Sequence, residues 1–582
     1  MVSTRAETVA ACLIVLVAAT LRFSGLGFGL PMAEARPDEL TIAFQAMKFG
    51  TGDLDPHSFN YPTLHKYVVF GLFGVKYAVG RMTGEYASKD DFLRSFFDGA
   101  VSFRLWMRAW SAFMGTLGVA LLLRAPGRLV TAALFAVSML AVRDSHFGVT
   151  DTMMVTLVIA TVMLCERAMT SGRMRDLLVA AAIGGLATST KYTAGLVALP
   201  VAIAGVLGAS AGGRARDGRA MATRVAMAAC VMVGAFLLGS PYVVLDFPTF
   251  WKDFQYESAH LADGQYVDVG RGWSRHLETL RETQGLVFVL LAGVAAFTWP
   301  IWPGQRGRAL LWLSFPVAYY VVIGRGETAF FRYALPLLPF LCVALGWWVA
   351  EQPIVVVRGL SALPGVIRGT WFAVLLINPL TWSILTDRLV AAGDTRDSMG
   401  RWIEQNVPTN AVIVHAGAYT GAPMLQRNVA NQTREYVAKA GRADAAGFRK
   451  PDDLKWYNPA RPMYDVLYIR KPGIDFVSQV DADDLARSGT PGDLVPADFW
   501  LELEDYPLTF YASVPESVRA YAQSCDPVHD EAATVDSGPP PAAPEILDQQ
   551  DALYLPHADY SSFARMGPNL MLYHCLPTPD AP

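Results

Sequence analysis

Two neighbouring stretches decide how the chain is read: Thr8-Val-Ala-Ala-Cys-Leu-Ile-Val-Leu-Val-Ala-Ala-Thr-Leu-Arg-Phe23, and after it Pro31-Met-Ala-Glu-Ala-Arg-Pro-Asp-Glu-Leu40. The first is apolar and close to the length that crosses a bilayer. The second sets two adjacent carboxylates, Asp38 and Glu39, at the mouth of that segment. Acids beside a membrane segment are costly unless they are wet, paired or used. In a helix continuing through Leu40, neighbouring side chains point about 100° apart. Asp38 and Glu39 then cannot play the same part. One can face a cavity while the other caps, pairs or binds an ion. The plainer alternative is a solvated loop whose acids start a helix after a proline. The rest of the chain favours a site.

At 582 residues the chain is too long for one ordinary domain. Hydrophobic residues make up 53% and charged residues 17%, below the usual quarter. That balance indicates an integral membrane protein with a soluble part. The net charge of −4 and the scatter of Lys and Arg through short loops give no basic stripe, which argues against nucleic acid. Apolar runs fall at roughly 8–23, 106–123, 128–142, 152–168, 177–190, 192–209, 224–240, 285–302, 309–323, 331–350 and 366–386, about eleven transmembrane helices. The first reads as a signal anchor, since no small-x-small cleavage site precedes a soluble chain.

Basic residues in short loops orient the spans. With the N-terminus in the cytoplasm, the cytoplasmic loops hold Arg124 and Arg128; Arg167, Arg173 and Arg175; Arg214, Arg216, Arg219 and Arg224; Arg306 and Arg308; Arg358 and Arg368. Tyr67 to Met82 breaks this pattern if counted as a span. Lys66, Lys76 and Arg81 flank or interrupt it, so it is expected to be an interfacial or re-entrant helix within a large first outer loop, 24–105. The opposite face then gathers Asp38, Glu39, His57, Tyr61, His65, Asp144, His146, Asp151, Lys191 and Arg332. A channel or pump would more often place such groups near the midplane of its spans.

The composition changes after residue 386, giving an expected division into a membrane domain, 1–386, and a soluble extracytoplasmic α/β domain, 387–582. Met399, Trp402, Ile403 and Val407 have helical spacing, ended by Pro408. Ala411-Val-Ile-Val-His415, Asp465-Val-Leu-Tyr-Ile469 and Leu570-Met-Leu-Tyr573 read as strands, and Gly538-Pro-Pro-Pro-Ala-Ala-Pro544 as a surface loop. Cys525 and Cys575 lie in this part and could pair if it is extracytoplasmic. Spacing alone does not fix a disulfide. Neither an internal repeat nor a Gly-rich nucleotide fingerprint is present.

Several motifs in order resemble the polytopic glycosyltransferases of the GT-C fold, the family-39-like, phospholipid-carrier-dependent enzymes that include protein O-mannosyltransferases and aminoarabinose transferases. The motifs are Leu21-Arg-Phe with Pro37-Asp-Glu39, Asn60-Tyr-Pro-Thr-Leu64, Arg108-Ala-Trp-Ser-Ala-Phe-Met-Gly-Thr116 and Ser145-His-Phe-Gly-Val-Thr-Asp151. Gly185-Leu-Ala-Thr-Ser-Thr-Lys-Tyr-Thr193 and Phe331-Arg-Tyr-Ala-Leu-Pro-Leu-Leu-Pro339 follow. Thr63 stands where the family often has a second proline, and the first outer loop is long. The resemblance implies transfer of a sugar from a polyprenyl-phosphate donor to an extracytoplasmic protein, lipid or glycan. It puts the family's catalytic acid at Asp38 or Glu39. High Ala, Arg and Gly usage and the lack of an organelle signal point, on composition, to a bacterial inner membrane.

Glycosyl transfer to a hydroxyl needs a base, assigned to Asp38, with Glu39 orienting it or holding a metal. The leaving polyprenyl phosphate needs cations in a drier setting. Lys191 and Arg332 are the expected partners and Arg108 a further one, the alternative for each being snorkelling to headgroups. Tyr61, His65, Asp144, His146, Asp151 and Tyr192 are expected to line the sugar or acceptor pocket. A divalent ion is left open, with Glu39, Asp144 and His146 as candidate ligands. Ser145, His146 and Asp151 do not make a hydrolase triad, because no nucleophile elbow surrounds the serine. A transporter or flippase of a lipid-linked sugar is the competing reading. It should show paired broken helices in two repeated halves, which the sequence lacks.

Overall fold

The computed structural model describes residues 5–30, 32, 36–97, 100–210, 217–264, 268–351, 363–417, 419–439, 461–470, 478–483, 485, 498–504, 514–535, 547–548, 550–551 and 553–576. Among the described residues, eight helices are long and apolar enough to cross a membrane: Arg5–Phe23, Val101–Leu122, Thr150–Ser171, Tyr192–Ala209, Gly218–Gly239, Arg306–Gly324, Phe331–Ala350 and Gly369–Ala391. Gly272–Gln284 and Leu286–Ile301, bent by 117° at their junction, make a ninth if the pair is one span. The chain is thus a polytopic α-helical protein with a sheet-bearing C-terminal region.

Two of the eleven apolar runs become shorter helices. Met174–Thr188 has 15 residues, about 22 Å of helix against about 30 Å of hydrocarbon. The 128–142 run splits into Arg128–Ala136 and Met139–Ser145, with Ser138 in extended backbone between them. A break in an apolar setting strands carbonyls that water cannot reach. Arg22, at the end of α1 (Arg5–Phe23), answers two of them: its guanidinium donates to Phe135 O (3.1 Å) and Ala136 O (2.8 Å). Ser383 Oγ donates to Val137 O at 2.9 Å. A lone arginine in an apolar run is here a helix-end cap. Arg224, expected in a basic loop, does the same for Gly205 and Gly172 carbonyls, at 3.0 and 2.9 Å, and is buried.

The helix α2 (Pro37–Lys48) follows, and α3 (Leu64–Thr83) covers the Tyr67–Met82 run. The latter is not among the helices apolar enough to span. The chain divides into two compact units: one of Met1–Leu26, Asp38–Lys76 and Phe103–Asp387, the other of Gly27–Pro37, Tyr77–Ser102 and Arg388–Pro582. Two pieces of the first outer loop therefore belong with the C-terminal region, and Arg36 pairs with Asp551 at 3.0 Å inside that second unit.

The second unit is built on a six-stranded sheet of order β3-β2-β1-β4-β8-β5. The strands β1 (Val412–Ala416), β2 (Asp465–Ile469), β3 (Gln479–Val480) and β4 (Phe499–Glu504) pair in parallel. Against them β8 (Leu570–Cys575) runs antiparallel between β4 and β5 (Asp526–Glu531). A separate ribbon joins β6 (Leu547–Asp548) to β7 (Leu553–Pro556). All five residues of β1 and of β2 are buried, as continuous apolar strands in a parallel sheet should be. The Thr395–Asn406 helix starts on Asp394, whose carboxylate accepts the Arg396 N–H. Cys525 and Cys575 form a disulfide. The Gly538–Pro544 loop lies outside the described residues.

Candidate active site

Proline at the first position of α2 sets the helix, and the two acids after it sit where the helix dipole favours negative charge. Helical geometry then sends them apart. Glu39 turns inward. Its carboxylate accepts from Arg108 Nε at 2.9 and 3.1 Å, from Arg108 Nη2 at 2.8 Å and from the Gly148 N–H at 2.7 Å. Arg108 Nη1 donates to Leu26 O at 2.7 Å. Both side chains are 0% exposed. Gly148 comes that close because it lacks a side chain: a Cβ there would lie 2.7 Å from Met107 Cβ. This fork-on-fork pair, doubly hydrogen-bonded, ties α2 to the Val101–Leu122 helix.

Asp38 faces the other way, with its side chain 31% exposed. Its Oδ2 accepts from Arg332 Nη1 at 2.8 Å and from the Tyr61 hydroxyl at 3.3 Å. Arg332 lies in the 3₁₀ turn Phe331–Leu337 and stacks over the Phe330 ring, 4.5 Å from its centre. Lys191 Nζ donates to Asp151 Oδ1 at 2.6 Å and lies 5.1 Å from the centre of the Tyr333 ring. Asp38, Arg332 and Asp151 all act electrostatically on the Tyr61 hydroxyl. Residues 38, 61, 151, 191 and 332 are therefore one polar group, assembled within one unit of the chain.

A further acid joins it from an unexpected direction. Glu257, on the Phe247–Asp263 helix, accepts from Asn60 Nδ2 at 2.8 Å and is within electrostatic reach of Lys191, Arg332 and Asp38. Burial pushes its carboxyl above the usual range, with Asn60 and the two cations opposing. On the same helix Asp253, one turn earlier, accepts the Phe59 N–H at 2.7 Å. The signal for both was acids at i and i+4 beside Phe250 and Phe254 at the same spacing, on one helical face.

The other expected pocket residues are placed differently. His65 is fully buried, and burial pushes its imidazole down to about 4, so it is neutral. Tyr192 donates its hydroxyl to Phe59 O at 3.0 Å. Asp144 lies 3.4 Å from Arg143 Nε, and the ring nitrogens of His146 lie against Val142 O (2.9 Å) and Ser24 O (2.5 Å). Arg108, expected at the donor phosphate, spends its guanidinium on Glu39 and Leu26. Among the described residues, Glu39, Asp144 and His146 do not form a group of converging ligand atoms, and the Glu39 carboxylate accepts from Arg108 and the Gly148 N–H. Among the described residues, the three ligand-bearing groups that do converge within 4.8 Å are Asp55, His57 and Asp246. Asp53 is also at hand, 2.8 Å from His57 Nε2.

The fold and these groups define a multi-pass membrane protein with three carboxylates, Asp38, Asp151 and Glu257, and two cations at one polar site. Residues 106–244 match the sequence model of the dolichyl-phosphate-mannose-protein mannosyltransferase family, so the resemblance read from the motifs holds over that stretch. Among solved structures the chain is similar to ArnT from Cupriavidus metallidurans bound to undecaprenyl phosphate, at 14% identity, TM-score 0.47 and 100% of both chains. It is also similar to the same protein in the apo state, at 15% identity, TM-score 0.43, 99% of this chain and 100% of that one. No curated protein matches the chain.

Proposed function

We propose that the protein is a membrane glycosyltransferase that moves a sugar from a polyprenyl-phosphate donor to an acceptor outside the cytoplasm, with Asp38 as general base. The observation that carries this reading is Asp38 itself: a part-exposed carboxylate in contact with Tyr61 and Arg332, with Lys191 in the same polar group. The acceptor hydroxyl loses its proton to Asp38 as its oxygen bonds to the sugar's anomeric carbon. The bond from that carbon to the phosphate oxygen breaks, and Arg332 and Lys191 stabilise the leaving anion. Glu39 and Arg108 hold α2 in place. The Cys525–Cys575 disulfide supports an extracytoplasmic place for the C-terminal region.

The test uses purified protein in nanodiscs with radiolabelled polyprenyl-phosphate sugars and a membrane extract as acceptor source, with and without chelator. Release of free polyprenyl phosphate by the wild type, lost in Asp38→Asn while carrier binding persists, is the expected result. Equal handling of the carrier by both proteins, with no release, would replace the transferase reading by transport.

A further inference from the structure

Arg332 touches Asp38, and in the transferase reading it also meets the donor phosphate. The two contacts have opposite charge histories. Asp38 starts as a carboxylate and ends the transfer step protonated. The phosphate starts as a diester with one negative charge and leaves as a monoester with two. The acceptor O–H proton goes to Asp38, the new bond joins the acceptor oxygen to the anomeric carbon, and the electron pair of the broken bond goes to the phosphate. One unit of negative charge is thus lost at the base and gained at the leaving group, with none created.

We propose that Arg332 couples these two events, holding Asp38 before the step and shifting its charge onto the polyprenyl phosphate as Asp38 takes the proton. This rests on the transferase reading and goes beyond it by assigning Arg332 to both partners at once. The geometry suits the role. Nη1 meets Asp38 at 2.8 Å, at one corner of a planar five-donor fork. The guanidinium lies over Phe330, which fixes its plane and makes its rim the bonding surface. Its side chain is only 8% exposed, so solvent screens the two anions from it weakly. The proton then leaves Asp38 to solvent, which its exposure allows.

Coupling of this kind is reciprocal. If phosphate draws Arg332 from Asp38, then neutralising Asp38 must tighten phosphate. The probe is polyprenyl phosphate without sugar, and the readout is its dissociation constant in nanodiscs for wild type, D38N, R332Q and the double variant, each first checked for a wild-type-like melt. D38N should bind the carrier about tenfold more tightly than wild type, R332Q should bind more weakly, and D38N should add nothing in the R332Q background. If R332Q does not hold its fold, R332K replaces it. Lysine keeps the charge but not the planar fork, so the D38N gain should shrink. A gain that persists undiminished without Arg332 would mean simple repulsion between Asp38 and phosphate and would overturn the proposal. So would an unchanged or weaker D38N. Failure of every form to bind the carrier would instead remove the transferase reading, and the coupling with it.

Discussion

Two adjacent acids of α2 meet two arginines, and the two pairs differ in how far the acid is exposed. Glu39 and Arg108 are sealed from solvent and joined by several hydrogen bonds, with a backbone N–H completing the carboxylate. Asp38 and Arg332 meet at 2.8 Å, and the acid is open to solvent. A saturated, buried pair holds helices in place and resists change of charge, because either ion alone would be stranded. In the other pair the acid is part-exposed, so water can take the place of its partner on Asp38. The first is suited to building a site and the second to working in it.

The contrast can be broken most directly by substitution at the acids. Asp38→Asn should lower the rate of transfer by about 10²–10⁴-fold, the contribution expected of a general base, with the melting temperature unchanged. A large loss of stability instead would put Asp38 in the same structural class as its neighbour. Glu39→Gln should do the reverse: breaking a buried pair leaves the Arg108 charge uncompensated and costs about 3–5 kcal/mol, seen as a lower melting temperature in detergent. A second change, Arg108→Met, should restore part of that loss. No recovery in the double variant would mean the pair is not the source.

The cations sharpen the comparison at smaller scale. Lys191→Met should weaken binding of polyprenyl phosphate about tenfold, as for a charged hydrogen bond, and lower the melting temperature as well, because the buried Asp151 carboxylate loses its partner. Unaltered binding would assign Lys191 to Asp151 alone. Lys66 gives the smallest effect and a pH signature. Its amine donates to Ser58 O at 2.6 Å, and burial pushes its pKa down to about 7 from the ordinary 10.5. Between those values the unfolded chain binds more protons than the folded one, so stability rises with pH from 7 toward 10.5 and is at its lowest below 7. The melting temperature of wild type should therefore climb by roughly a few degrees between about pH 7 and 9 relative to Lys66→Met. A parallel course for the two proteins would place the titrating amine elsewhere.

Much of this architecture was legible in the amino-acid pattern. Nine of the eleven apolar runs correspond to candidate spans or the bent pair. The 395–406 helix and the strands at 412, 465 and 570 lie where their local patterns put them. The two runs that fell short were misjudged because hydropathy does not see a break: Ser138 interrupts an apolar stretch that composition leaves continuous. Arg108, expected at the donor phosphate, shows a similar limit, since its guanidinium meets Glu39. A cation at the end of a span looks available until its partner, 69 residues away, is known.

The sequence by itself determined the class of protein, the turn at Pro37 and the divergence of Asp38 from Glu39. These follow from transfer free energy and from the 3.6-residue helical repeat, which act over roughly a few turns of chain. Only the tertiary structure decided who meets whom. Arg332 reaches Asp38 across 294 residues, Glu257 enters from the Phe247–Asp263 helix, and Arg22 caps a helix it does not belong to. A charge close to a membrane must find some partner, and local sequence states that need. Which partner satisfies it depends on how the helices pack, and packing is a property of the whole chain.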